Sequence, residues 1–279
     1  MSSKKVDFLF LSALLLCAAG CAALFPQNVR YAAADRTAAA AGFEKSFIDA
    51  SPFTLTAYAR CRNQGDPLHV YIEGDGMAWL SRTRLSDDPT PRTPLILKLA
   101  VLDPESNVAY LARPGQYAAN GAPGCEAAYW SDKRFAREVV DAMSRAVDEL
   151  RTRTGAGAIH LVGYSGGAAI AVLVAARRSD VVSLRTVAGN LDPDAVNRYH
   201  RVSPLADSQN PMEAAAKLKD LPQRHFVGSL DGVIPPGIAE TFLLRAGKPD
   251  FRGITVVPGA THTQGWIERW KELLALPAL

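Results

Sequence analysis

Ser165 stands in the run Leu161 to Ile170, LVGYSGGAAI, a single serine among three glycines where an apolar strand-like run meets an apolar helix-like one. Serine adds little to a core and glycine weakens both kinds of element, so this junction needs backbone freedom more than regular structure. Asp231 follows in SLDGVIPP and His262 in VPGATHTQGW, each just past a strand-like run. A serine hydroxyl is a poor nucleophile until a base takes its proton, and imidazole titrates near neutral pH. A carboxylate bonded to that imidazole fixes its tautomer and stabilises the cation that forms. Asp192, one strand earlier, is the reserve acid, and His200 lies in a long loop within reach of a substrate. His69, His160 and His225 fall inside strand-like runs and read as structural. No histidine and cysteine cluster has ligand spacing, so no metal or cofactor is implied.

The elements that must carry these residues alternate from Phe53 onward. FTLTAYAR alternates apolar and polar residues like an antiparallel edge strand. LHVYIEG, NVAYLARPG, AIHLVGYS, LRTVAGN, RHFVGS and ITVVPG are short apolar runs that stop at glycine, proline or a polar residue. Between Lys133 and Leu150, Phe135, Val139, Met143, Ala146 and Leu150 recur at helical spacing. Ala168 to Ala176 is apolar all round, as a helix packed on the middle of a sheet requires. Trp266, Ile267, Trp270, Leu273 and Leu274 predict a last amphipathic helix. The fold class is α/β, one domain with a mostly parallel sheet covered by helices on both faces. Two long stretches fit neither pattern: GMAWLSRTRLSDDPTPRTP and LDPDAVNRYHRVSPLADSQNP. Both leave strand C-termini, where open α/β sheets place their sites, and the second is the expected short cap.

Gly163-Tyr164-Ser165-Gly166-Gly167 is a G-x-S-x-G between strand and helix, the context of a nucleophile elbow. From Phe53 to Leu274 the chain resembles the α/β-hydrolase superfamily, whose members order their triad as serine, acid, histidine. The resemblance implies Ser165, Asp231 and His262 as catalytic residues. It also implies an oxyanion hole from the amide of Gly166 and from the loop Glu73-Gly74-Asp75-Gly76, with Asp75 the expected donor beside Gly76. Glu73 stands where that superfamily often has histidine, and an acidic Asp75 side chain must point away from the oxyanion. The expected activity is a serine hydrolase acting on an ester or related acyl bond of a small-molecule substrate through an acyl-enzyme. Peptidases and thioesterases share the fold, and a catalytically silent binding protein is the alternative of another class.

The N-terminus carries a separate message. Lys4 and Lys5 precede an apolar run, Phe8 to Leu16, and Ala18-Ala19-Gly20-Cys21 follows. This is the order of a secretory signal, and its end resembles a bacterial lipobox with Cys21 as the lipidated residue. Residues 1–20 are then a signal peptide, 21–50 a tether and 51–279 the folded domain, lipid-anchored in the bacterial envelope. Ala22 after the cysteine favours, by the same resemblance, the outer membrane facing the periplasm. With Cys17 removed and Cys21 acylated, Cys61 and Cys125 remain, and an oxidising compartment favours a disulfide between them over two free thiols. The 31 basic and 28 acidic side chains are scattered, for a formal charge of +3, which argues against nucleic acid as a partner.

Overall fold

The structure, a computed structural model, describes residues 27–118, 122 and 126–279. Its centre is an eight-stranded sheet in the order β1-β2-β4-β3-β5-β6-β7-β8. β1 (Glu44–Ala50) and β2 (Phe53–Cys61) form an antiparallel hairpin, and β2 runs antiparallel to β4 (Asn107–Leu111). From β4 onward every pairing is parallel, through β3 (Leu68–Ile72), β5 (Ile159–Tyr164), β6 (Val181–Val187), β7 (Gln223–Gly228) and β8 (Ile254–Val257). All five residues of β3 and of β4 are buried, because both faces of the sheet are covered.

Alternate side chains of each strand feed two cores. Leu68, Val70 and Ile72 of β3, with Ile159 and Leu161 of β5, meet α3 (Arg137–Thr154) and α4 (Gly166–Ala175). Tyr71, Val162 and Phe226 face the other way, towards α1 (Gln27–Ala40), α2 (Leu95–Val101) and α8 (Trp270–Ala275). Every residue of α4 is buried, in keeping with its all-apolar sequence. The last helix is shorter than its spacing predicts: Trp266 and Ile267 lie in the turns before α8, where Trp266 is still fully buried.

Residues 27–50 are not a tether. They form α1 and β1, with Ala34, Ala38, Phe43, Ile48 and Ala50 in the two cores. Alanine is the strongest helix former, so a run that reads as a low-complexity linker becomes a helix once it has a surface to pack on. Asp35 accepts a 2.6 Å hydrogen bond from the Tyr58 hydroxyl, and Arg30 pairs with Asp88 at 2.7 Å, stitching α1 to the sheet and to the loop after β3. β1 also takes the edge, so FTLTAYAR is the second strand rather than the first.

The expected Cys61–Cys125 disulfide is not found: Cys61 is an exposed free thiol, and Cys125 lies outside the described residues. Cys61 pairs with Asn107 where β4 begins. The signal segment and Cys21 also lie outside the described residues. Among the described residues no helix is long and apolar enough to cross a membrane.

Candidate active site

β5 ends at Tyr164 and α4 begins at Gly166, leaving Ser165 alone to make the turn at φ 51°, ψ −120°. A non-glycine residue holds such a conformation only when its surroundings over-determine it. Here they do. The Ser165 amide donates to Val187 O at 3.0 Å, and its carbonyl accepts from Ala168 N at 3.0 Å and Asn190 N at 2.9 Å. Two flanking glycines permit the approach. A Cβ on Gly163 would lie 2.5 Å from the Ala168 Cα, and one on Gly167 would lie 2.3 Å from the Ile72 carbonyl oxygen.

His262 arrives on the loop after β8, 97 residues on in the sequence, and its Nε2 lies 3.1 Å from Ser165 Oγ. Its Nδ1 lies 3.0 Å from Asp231 Oδ2, on the loop after β7. Because the carboxylate can only accept, Nδ1 carries the proton and Nε2 presents a lone pair to the serine hydroxyl. The His262 carbonyl accepts from the Tyr164 hydroxyl at 3.1 Å, and buried Trp266 donates its indole N–H to the Thr261 carbonyl at 3.0 Å. Asp231 is fixed by its other oxygen, which accepts from Val233 N at 2.8 Å and Ile234 N at 3.0 Å. Burial by itself would push the Asp231 carboxyl up, but the His262 bond and those two amides outweigh it and hold the pKa below the usual value. The acid stays ionised while the imidazole cation forms.

The loop after β3 closes over this elbow. A Cβ on Gly74 would lie 3.2 Å from Ser165 Cβ, so the two loops pass in contact. The Gly74 amide is occupied by Glu73 Oε1 at 2.9 Å, and the amides of Asp75 and, at the first turn of α4, Gly166 are the expected donors to a developing oxyanion. The Asp75 carboxylate is held by two arginines. It accepts from Arg113 Nη1 at 2.7 Å, pairs with Arg134 at 3.4 Å, and covers the Cα of Gly166 so closely that a Cβ there would collide with it. Gly76 turns the chain with φ 63° beneath the Pro89 carbonyl.

Several partners escape a reading of motifs. Arg113, Gln116 and Tyr110 belong to β4 and the loop after it, yet Gln116 Nε2 donates to Gly74 O at 2.8 Å and the Tyr110 hydroxyl to Glu73 Oε2 at 3.1 Å. The signal for Arg113 and Gln116 was their charged and amide side chains in LARPGQY, unusual at the end of an otherwise apolar strand. Burial drives the Glu73 carboxyl up to about 7, against the opposing pull of the Gly74 amide, Tyr110 and Arg113.

Asp192 is not the acid. Its side chain caps α5 (Pro193–His200), accepting from Ala195 N at 3.1 Å and from Asn210 Nδ2 at 3.1 Å. His200 donates to Val233 O at 2.7 Å and so braces the loop that carries Asp231. His69, His160 and His225 lie in β3, β5 and β7. The cleft over Ser165 has a volume of about 820 Å³ and is lined by Met77, Trp79, Leu80, Arg92, Leu95 and Val233, among others. These come mainly from the first long excursion, so the second, with α5 and α6 (Pro211–Ala214), does not form the expected cap over the cleft. α7 (Gly237–Arg245) lies beyond it, on the α3 side of the sheet.

No family model and no curated protein matches the chain. Solved structures do. The esterase Est1E from Butyrivibrio proteoclasticus is similar with a TM-score of 0.57 and 17% identity, covering 82% of this chain and 97% of its own. An esterase of Pyrococcus furiosus gives 0.58 and 14%, with 83% and 90% covered. The acylaminoacyl peptidase of Pyrococcus horikoshii gives 0.57 and 13%, with 83% of this chain and 40% of that one covered. At such identities the likeness establishes a fold, that of the α/β-hydrolases, and leaves the chemistry to the side chains described above.

Proposed function

We propose that the chain is a serine hydrolase that cleaves an ester or related acyl bond through an acyl-enzyme. The observation that carries this reading is the unbroken relay from Ser165 through His262 to Asp231, at a strained elbow on the floor of an open cleft. In the first half-reaction Ser165 Oγ attacks the acyl carbon while its proton passes to His262 Nε2. The oxyanion is held by the amides of Gly166 and Asp75. The tetrahedral adduct then expels the alcohol, which takes the proton from His262 and leaves the acyl group on Ser165. Water repeats the sequence in the second half-reaction, giving the carboxylic acid and free serine.

The apolar Met77, Trp79, Leu80 and Leu95 favour an acyl or alcohol portion with an apolar body. An ester is favoured over an amide because the fold's similar structures include several esterases. A fluorophosphonate probe should label the protein once, at Ser165, and p-nitrophenyl acyl esters should turn over with a burst. Labelling that persists in Ser165→Ala, or its absence in the wild type, would refute the assignment. The lipobox-like segment supports export and acylation at Cys21. Mass spectrometry of the mature protein from a bacterial membrane should show a diacylglyceryl-modified N-terminal cysteine, and an unmodified Cys21 would remove the anchor.

A further inference from the structure

At the opposite end of the sheet from Ser165 lies a second cleft, of about 640 Å³, that the acyl chemistry does not use. His160 at its wall lies five residue steps before Ser165, roughly 16 Å of extended chain. Its polar wall is a row across the sheet. His69 of β3 is the register partner of His160 of β5, which is in turn the partner of Ser183 of β6. The two imidazoles stand 4.5 Å apart, with His69 Nδ1 bonded to Asp103 at 2.7 Å and His160 Nδ1 to Ser183 Oγ at 2.7 Å. Each ring therefore keeps its Nε2 free of these bonds.

Two cations complete the wall. Arg185 is anchored through Nη2 to the Leu276 carbonyl at 3.0 Å and through Nη1 to Ser183, but its buried Nε–H has no hydrogen-bond partner. The guanidinium is half-buried at the cleft wall and has no carboxylate ion pair among the described residues, so its charge is available to an anion there. Lys271 of α8 lines the same cleft and forms no ion pair among the described residues. Pro67, Leu102, Pro104 and Leu274 supply an apolar floor, and Glu105 is the one exposed carboxylate at the rim. Asp103 is fully buried and already held by His69 and by the Tyr71 hydroxyl at 2.6 Å.

We propose that this cleft, with the two histidines in its wall, binds an organic oxyanion, a phosphate monoester or carboxylate with a short apolar body, through Arg185 and Lys271. The guanidinium and ammonium hold the charged head, and the apolar floor seats the body. The site is separate from the acyl relay, and its occupancy does not depend on catalysis.

The test follows the His69 and His160 ring resonances by NMR during titration with phenyl phosphate, phenylacetate, inorganic phosphate and neutral benzyl alcohol. Both rings should shift with the two organic anions, less with inorganic phosphate, and not with benzyl alcohol. Lys271→Ala, a surface change that leaves the core intact, should weaken phenyl phosphate binding about tenfold, and Arg185→Gln by at least as much. Glu105→Gln should tighten it severalfold. Ester turnover should be unchanged in Lys271→Ala, which separates this claim from the proposed activity. Equal shifts with benzyl alcohol, no shift with either organic anion, or unaltered affinity in Lys271→Ala would each overturn the proposal.

Discussion

The molecule contains two carboxylate–imidazole pairs, one at each end of its sheet. At the C-terminal edge Asp231 holds His262 at 3.0 Å, and at the N-terminal edge Asp103 holds His69 at 2.7 Å. In both, the carboxylate side chain is almost wholly buried, at 1% and 0% exposed, and in both Nδ1 is the bonded nitrogen. Only His262 presents its remaining nitrogen to a hydroxyl, and only that hydroxyl sits on a strained elbow at the start of a helix. His69 faces another imidazole instead. A buried acid–histidine pair is thus no more than an orientation device, and the nucleophile and the oxyanion donors decide whether it becomes catalytic machinery.

The sharpest way to break this comparison is to remove the nucleophile. Ser165→Ala should lower kcat for a p-nitrophenyl ester by about 10⁶-fold, and adding His262→Ala should cost almost nothing more, because the relay acts as a unit. The paired test exchanges each acid for its amide. Asp231→Asn should leave the protein folded while kcat falls about 10⁴-fold through the wrong imidazole tautomer. Asp103→Asn should leave kcat within twofold while costing about 3 kcal/mol in urea unfolding, since it disturbs a buried pair far from the acyl carbon. Equal kcat losses in the two variants would end the distinction between them.

His225 extends the series to an imidazole with no carboxylate. It is fully buried, bonded to Thr186 Oγ1 at 2.8 Å, and burial pushes its pKa down to about 3. The unfolded chain takes up a proton near pH 6.5 and the folded one does not, so stability is full above that pH and falls as the pH drops towards 3. Between pH 6.5 and 4 the loss should be on the order of 2 to 3 kcal/mol, and His225→Asn should show a correspondingly flatter unfolding profile. Parallel profiles for the two proteins would contradict it.

The smallest effect concerns Glu73. Its folded pKa of about 7 lies above that of an unfolded carboxyl, so its contribution to stability is complete below pH 4.5 and is lost as pH rises through 7. Glu73→Gln imitates the protonated form and should keep kcat within tenfold while removing that decline. A decline unchanged in Glu73→Gln would show that Glu73 is not its source.

Ser165, Asp231 and His262 were legible because each announces itself locally: glycines around a serine, and polar residues just past apolar runs at strand ends. The seven strands from β2 to β8 were legible for the same reason, since period and breakers are properties of neighbouring residues. Asp192 misled as the reserve acid because a carboxylate after a strand also suits a helix N-cap, and only the Ala195 amide distinguishes the two. Residues 27–50 misled as a tether because the helix preference of an alanine-rich run survives only with a surface to pack against.

The sequence by itself determined the alternation of elements, the elbow and the order of the relay residues, all of which depend on chemistry within a few positions. Tertiary structure alone decided which strand lies beside which. β4 sits between β2 and β3, and that places Arg113 on Asp75, Gln116 on Gly74 and Tyr110 on Glu73, contacts spanning 37 to 42 residues. It likewise aligned His69, His160 and Ser183 in one row. Strand order and register are set by the packing of both cores at once, a sum over the whole chain that no local pattern encodes.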